Sequence, residues 1–393
     1  RSSDLLSDKV MPYILSKVPP KLIHKSMEFM WGKYQLGVIE HFARNYSVGL
    51  SEDPKDESKN GSLERLMDKA EELGKEGYLV TVDNLGEKSK FKQDILNKID
   101  LNNQILDILI ERGMFAASEK AKKKGKPYPH TFGPTISLKP SAFLYHNNGN
   151  KPNLDNDKLF AEFLDDFLTR AEDNHIGVTI DMEEPYLVDY TINCYLSSVA
   201  KHKNIGIVHQ TSLDRTTVDL DEYIGLEEIA RVRLCIGIYD ITKKKIWDED
   251  DLERKEDNIG TMNLKKRKER LINEALAMTK CGIYTEIATH DVDVIKEIQE
   301  LFKEHKISKD LYEFQALYNV KPEGLDEIHK ELMADGVKVR IYLPYAPTLD
   351  DTIDYGIRRA SKNPQLLWTF MKEGAKFYWN KLFSKNKERK NTK

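Results

Sequence analysis

The sequence predicts an α/β protein, a (β/α)8 barrel of the TIM type with an N-terminal helical arm and a C-terminal amphipathic helix. Three observations carry that expectation. Between residues 63 and 365, strand-like and helix-like stretches alternate until eight strands are counted, the rhythm of a barrel. The strands are short, β-branched and mostly apolar, as strands buried on both faces should be. No Gly-x-Gly occurs anywhere in the chain, although the competing doubly wound sheet wants such a turn after its first strand.

Taken in order, residues 1 to 47 read as helical. Ile14, Val18, Leu22, Met27, Met30, Leu36, Ile39 and Phe42 recur at helical spacing, and Pro19-Pro20 breaks the run. A polar linker, 51–62, closes an arm of residues 1–62, and the barrel is expected over 63–365. Its first helix spans 63–74, with Gly74 and Gly77 at its end, and its first strand is 78–83. One helical stretch, 90–124, and a Lys-rich loop lead to strand 135–141. Helices at 157–174, 186–201, 220–229, 264–280, 291–305 and 323–335 then alternate with strands at 177–183, 205–211, 231–239, 282–290, 312–318 and 337–343. A helix carrying Arg358 and Arg359 closes the set.

Beyond Pro364 the pattern changes. Leu367, Phe370, Met371, Ala375, Tyr378 and Leu382 form a helical stripe, widened by Trp368, Phe377, Trp379 and Phe383. This segment, 366–393, ends in the basic run SKNKERKNTK, which suits a membrane surface, while packing on the barrel is the plainer alternative.

Composition excludes several classes. With 40% hydrophobic and 32% charged residues the chain reads as an ordinary globular protein, and a net charge of -4 gives no reason to expect nucleic acid. No apolar run is long enough to span a membrane, and RSSDLLSDKV lacks the apolar core of a signal peptide. Cys194, Cys235 and Cys281 form no Cys-x-x-Cys pair and are expected to be buried thiols in a reducing compartment.

In such a barrel, chemistry sits where strands end. The ends from the second strand onward offer Lys139; Asp181 and Glu183; His209 and Gln210; Gly237 and Tyr239; Thr289, His290 and Asp291; Gln315, Leu317 and Tyr318; and Tyr342. Arg231 and Arg233 open the fifth strand. Singly, each has a plain explanation, and Asp291 is well placed to cap the next helix. Together they make a cation-rich mouth suited to an anionic substrate or a phosphate-bearing cofactor. No His-Glu-x-x-His and no Gly-x-Ser-x-Gly is present, so metal hydrolysis and serine nucleophilic catalysis have no foothold and no metal is expected.

ISLKPSA, GVTIDMEE, VHQTSLDR, RVRLCIGIY, IATHD, YEFQALYNV, and RIYLPY followed by YGIRRASKNP, in that chain order, resemble the proline dehydrogenase family, in its FAD-dependent, monofunctional form. The resemblance runs from residue 63 to 365. It implies oxidation of L-proline to Δ1-pyrroline-5-carboxylate by hydride transfer to flavin N5, the first step of proline catabolism. It implies that Lys139, Arg358 and Arg359 hold the proline carboxylate and that Tyr239, Leu317 and Tyr342 pack on its ring, Tyr342 favouring proline over hydroxyproline. FAD would be held by Asp181, Val208, Gln210, Arg233, Gly237, Thr289, His290 and Gln315, with Asp181 alternatively orienting Lys139. The implied electron acceptor is a quinone or membrane electron-transfer chain, reached by peripheral contact through the C-terminal helix. The implied location is the cytoplasm or the inner face of a membrane, mitochondrial in a eukaryote. Two positions depart from the family pattern: Ile236 stands where Lys is usual, and Lys362 where an acidic residue is usual. Two rivals stay open, a flavin barrel oxidising another cyclic or N-alkyl amino acid, and a non-catalytic paralogue that binds proline or a partner.

Overall fold

The computed structural model describes residues 47–50, 59–86, 89, 91–146, 152–153, 157–237, 260–261 and 263–353, with the single positions 25, 27, 44 and 357. It divides into two compact units, residues 66–344 and a discontinuous unit of 1–65 with 345–393. Lys25, Met27 and Arg44 are helical, as expected of the arm. The rest of residues 1–46, the stripe over 366–393, and Tyr239, Arg358, Arg359 and Lys362 lie outside the described residues.

The larger unit is a closed barrel of parallel strands: β1 (Leu79–Asn84), β2 (Thr135–Leu138), β3 (Gly177–Ile180), β4 (Ile205–Gln210), β5 (Arg231–Cys235), β6 (Tyr284–Ala288), β7 (Tyr312–Leu317) and β8 (Lys338–Tyr345). Sequence neighbours are spatial neighbours, and β8 closes against β1. The helices are α1 (Lys59–Lys75), α2 (Lys92–Glu111), α3 (Ala116–Lys123), α4 (Asp157–Asp173), α5 (Val188–Val199), α6 (Thr216–Asp221), α7 (Leu264–Lys280), α8 (Val292–Glu304) and α9 (Leu325–Ala334). None of the described helices is long and apolar enough to cross a membrane.

The helices form for local reasons. In α8, Val294, Ile295, Ile298 and Phe302 recur at helical spacing and are all buried. Asp291 caps it, accepting from the backbone N–H of Asp293 at 3.1 Å and Val294 at 3.2 Å. Two helical expectations change. The stretch 90–124 is two helices, because Gly113 at φ +63 turns the chain between α2 and α3. The helix expected over 220–229 is the earlier, shorter α6, with Gly225 at φ +101 just beyond it.

The strands hold a larger surprise. They are buried on both faces, but the inner face is polar. Outward residues such as Val82, Ile136, Ile180, Ile207, Leu234, Ile287 and Phe314 are buried under the helix layer. Fully burying each such side chain contributes about 1.5–3 kcal/mol. Inward positions alternate with them at period two and carry Thr81, Asp83, Ser137, Thr179, Arg231, Arg233, Glu286, Glu313, Gln315 and Arg340, all buried. The cysteine expectation holds for the chemistry and fails for the burial: all three are thiols, not disulfides, but half-buried. Cys235 ends β5 at the open rim, and Cys281 caps the C-terminus of α7.

In the smaller unit, Tyr345 is fully buried and forms a parallel bridge with Val48. Ser62 Oγ donates to its hydroxyl at 3.1 Å. Gly49, at φ +111, lies against the Tyr345 ring, where a Cβ would come within 2.7 Å of Cε2. Backbone 349–353 is helical, the start of the segment expected to carry the arginine pair.

Candidate active site at the barrel mouth

The polar interior is layered. In the lowest layer, toward the strand N-termini, Arg231 pairs with Glu286 and donates to Thr179 Oγ1 at 2.9 Å. Arg340 pairs with Glu313 at 2.5 Å and donates to the carbonyls of Val80 and Gly133, each at 2.9 Å. Two glycines make room for Arg231. A Cβ on Gly206 would meet its Cζ at 2.8 Å, and one on Gly177 would meet its Nη2 at 3.4 Å and Thr135 Cγ2 at 2.8 Å. One layer up, Arg233 bonds Glu286 Oε2 at 3.0 Å and, across the barrel, Asp181 Oδ1 at 3.1 Å. Burial alone would raise the Glu286 carboxyl, but the guanidiniums of Arg231 and Arg233 pull it down to about 2.

The top layer gathers residues from β1, β2, β3 and β8. Lys139, just past β2 and 6% exposed, forms an ion pair with Asp83, which is 0% exposed. Its Nζ lies 3.6 Å from Asp181 Oδ2 and donates to the Tyr342 hydroxyl at 3.4 Å. Tyr342 in turn donates to Asp181 Oδ2 at 2.6 Å, and Ser137 Oγ donates to Asp181 Oδ1 at 2.5 Å. Burial, then the Asp181 and Asp83 carboxylates, push the Tyr342 hydroxyl well above its ordinary range, so it remains a donor. Burial raises the Asp83 carboxyl against the pull of Lys139. The Arg233 guanidinium sits 5.3 Å from the Tyr342 ring centroid, a cation–π distance. Glu183 fixes the turn after Lys139, accepting from Ser141 N at 2.7 Å and Ser141 Oγ at 2.6 Å.

On the opposite rim, two glutamines have their donors spent. Gln210 Nε2 donates to the carbonyls of Met182 at 3.1 Å and Glu183 at 2.8 Å. Gln315 Nε2 donates to Glu286 Oε2 at 2.8 Å and Glu313 Oε1 at 2.6 Å. Because all four partners are oxygens, the amide orientations are fixed, and both Oε1 atoms are buried with no partner among the described residues. Beside Gln210, Gly237 takes φ +84, and a Cβ there would meet Ser212 Oγ at 2.5 Å and Gln210 Oε1 at 2.6 Å. His290 Nε2 accepts from Leu317 N at 2.8 Å, which leaves Nδ1 as the protonated nitrogen of the neutral ring.

A family model described as proline dehydrogenase matches residues 66–239 and 264–367, well over half of the chain. The chain belongs to the proline dehydrogenase family. It is 32% identical over 208 residues to proline dehydrogenase 2 of Bacillus subtilis, a match covering 52% of this chain and 60% of the relative. It is 27% identical over 307 residues to proline dehydrogenase 1 of the same species, covering 77% and 84%. Among solved structures, proline utilization A from Bdellovibrio bacteriovorus, inactivated by N-propargylglycine, superposes with a TM-score of 0.61 at 18% identity, over 81% of this chain and 32% of that one. That likeness supports the barrel fold.

Of the positions the proline dehydrogenase resemblance singles out, Lys139, Asp181, Val208, Gln210, Arg233, Gln315, Leu317 and Tyr342 share one strand parity and face the barrel interior. Leu317 and Tyr342 are register partners on β7 and β8. Thr289 and His290 follow β6 at the same rim, where Thr289 Oγ1 accepts from Asp291 N at 3.2 Å. Asp181 is bonded to Ser137, Arg233 and Tyr342 together. His209, at the end of β4, faces the helix layer instead, with Nε2 and the Tyr223 hydroxyl 2.8 Å apart. The strand-end reading passes over Asp83, although it closes YLVTVD as Asp181 closes GVTID. It also passes over Glu286 and Glu313, acids in the middle of apolar strands, where only a charged interior explains them.

Proposed function

We propose that this chain oxidises L-proline to Δ1-pyrroline-5-carboxylate with FAD as its cofactor. Membership of the proline dehydrogenase family supports the reading. The observation that carries it is the buried cation Lys139 beside Tyr342 at the open end of the barrel. The residues present fit a flavin. The unpartnered Gln210 and Gln315 oxygens call for N–H donors, and a flavin's pyrimidine ring presents one between two carbonyls. Gly237 packs against the Gln210 oxygen so closely that a Cβ there would come within 2.6 Å of it. The chemistry FAD supplies is two-electron acceptance at N5, taking the hydride from the ring carbon beside the proline nitrogen, on the side away from the carboxylate.

The chain's own residues bind and orient. Lys139 holds the carboxylate with the forked donors of Arg358 and Arg359. Tyr342, Tyr239 and Leu317 wall the substrate ring. Arg233, held by Glu286 and Asp181, keeps a fixed positive charge at the cofactor side. Val208, Asp181, Thr289 and His290 complete that wall. Proline enters reaction as the neutral amine; the nitrogen's remaining proton leaves to solvent as the C=N bond forms. A quinone or membrane electron-transfer chain would be the acceptor, with residues 366–393 as the segment for peripheral contact.

Purified protein should be yellow and should bleach anaerobically on adding proline. Protein that stays colourless after incubation with FAD, or keeps its flavin oxidised with proline, overturns the reading. Arg358→Met should raise the apparent KM for proline far more than it lowers flavin content. Deleting 366–393 should weaken binding to liposomes.

A further inference from the structure

Lys139 is an almost fully buried ammonium, and a buried ammonium keeps its proton only if anions hold it there. Among the described residues two carboxylates reach it. Asp181 is shared: Oδ1 takes Ser137 Oγ and Arg233 Nη1, and Oδ2 takes the Tyr342 hydroxyl, leaving Lys139 at 3.6 Å. Asp83 is different. Its Oδ1 pairs with Lys139, and its Oδ2 is buried without a hydrogen-bond partner among the described residues. The register explains the placement. Asp83 on β1 lies beside Ser137 on β2, and Lys139 is the next residue on the same face, so the carboxylate stands directly below the ammonium. The titratable groups facing Asp83 are Lys139 from β2, Asp181 from β3 and Tyr342 from β8, with Arg233 of β5 behind Asp181.

We propose that Asp83 is the dedicated counter-ion of Lys139, a positioning residue that keeps the lysine charged and aimed at the substrate carboxylate. This rests on the proposed reaction, because it assigns Lys139 a carboxylate to hold. Asp83→Asn removes the carboxylate paired most closely with the lysine and leaves, among the described residues, the shared Asp181. Burial then dominates, Lys139 loses its proton at lower pH, and carboxylate affinity falls as pH rises.

The test uses flavin-loaded protein and cyclopentanecarboxylate, which keeps the ring and carboxylate of proline but has no amine to titrate. Its inhibition constant against proline is measured for wild type and Asp83→Asn from pH 6.5 to 9. Loss of affinity in the variant on the order of tenfold, growing with pH, and largely reversed in Asp83→Glu, is the expected result. A ratio that does not change with pH, as a carboxyl already protonated in the wild type would give, overturns the assignment; so does a ratio of one. A second measurement guards against simple misfolding: Asp83→Asn placed on Lys139→Met should raise the Tm, because it neutralises a buried carboxylate that has lost its partner. A further fall in Tm counts against the pairing. Wild type that neither bleaches with proline nor binds the probe overturns the proposed reaction as well, whereas wild type that does both with a flat ratio overturns the counter-ion role alone.

Discussion

The hydroxyl of Tyr342 donates to Asp181 Oδ2 at 2.6 Å, across 161 residues of chain and across the inside of the barrel. That bond turns an aromatic wall residue into part of a charged network, since Asp181 is also the anion of Arg233 and lies near Lys139. The tyrosine can therefore act in two ways, by its ring and by its hydroxyl.

Tyr342→Phe separates them. The ring stays and the donor goes, leaving a buried carboxylate oxygen short of a partner. A hydrogen bond to a charged group contributes about 1.5–3 kcal/mol, so the apparent KM for proline should rise roughly tenfold or more. Steady-state kinetics on flavin-matched samples checks this; an unchanged KM would mean that the ring alone matters.

Gly237→Ala should strip the cofactor. The position has φ +84, and its new Cβ would press on Gln210 Oε1 and Ser212 Oγ. Left-handed backbone costs a non-glycine residue about 1–2 kcal/mol. The expected readout is a lower ratio of flavin absorbance to protein absorbance, with the far-ultraviolet circular dichroism retained.

Glu286 makes the fold acid-sensitive. Its carboxyl titrates near about 2 in the folded chain against an ordinary 4.5. A lowered carboxyl stabilises fully above 4.5, and its contribution, on the order of 3 kcal/mol, is lost as pH falls toward 2. Glu286→Gln leaves two buried guanidiniums short of an anion and should destabilise by about 3–5 kcal/mol at neutral pH. Urea midpoints from pH 6 to 3 should fall less steeply for this variant than for the wild type.

His209 acts in a higher window. Burial, with a smaller push from Arg215, lowers it from 6.5 to about 3, so it is neutral in the fold. Unfolded chains take up the proton first, so its contribution is complete above 6.5 and is lost as pH falls toward 3. His209→Leu should cost about 1–3 kcal/mol at pH 7, because Tyr223 loses its partner. The difference in Tm between variant and wild type should shrink by pH 4.5.

Most of the architecture was legible because strand and helix periodicities are local. Every barrel strand was found in the right order, since each is a short apolar run between helical stripes. The misplaced parts have local causes as well: Gly113 divides α2 from α3, and α6 is too short for a helical stripe to declare itself. The candidate site was half legible. Residues at strand ends were readable by position, yet His209 and Gln210 are adjacent in sequence and only strand parity sends one to the helix layer and the other to the mouth.

By itself the sequence determined the barrel, through repeated alternation, and the family, through motifs in a fixed order. Tertiary structure decided what the charged residues do. Asp83 and Lys139 are 56 residues apart in the chain, as are other pairs that carry no signal. What makes them partners is closure: bending the sheet into a barrel forces every second side chain inward, where burial leaves each ammonium and guanidinium dependent on a carboxylate.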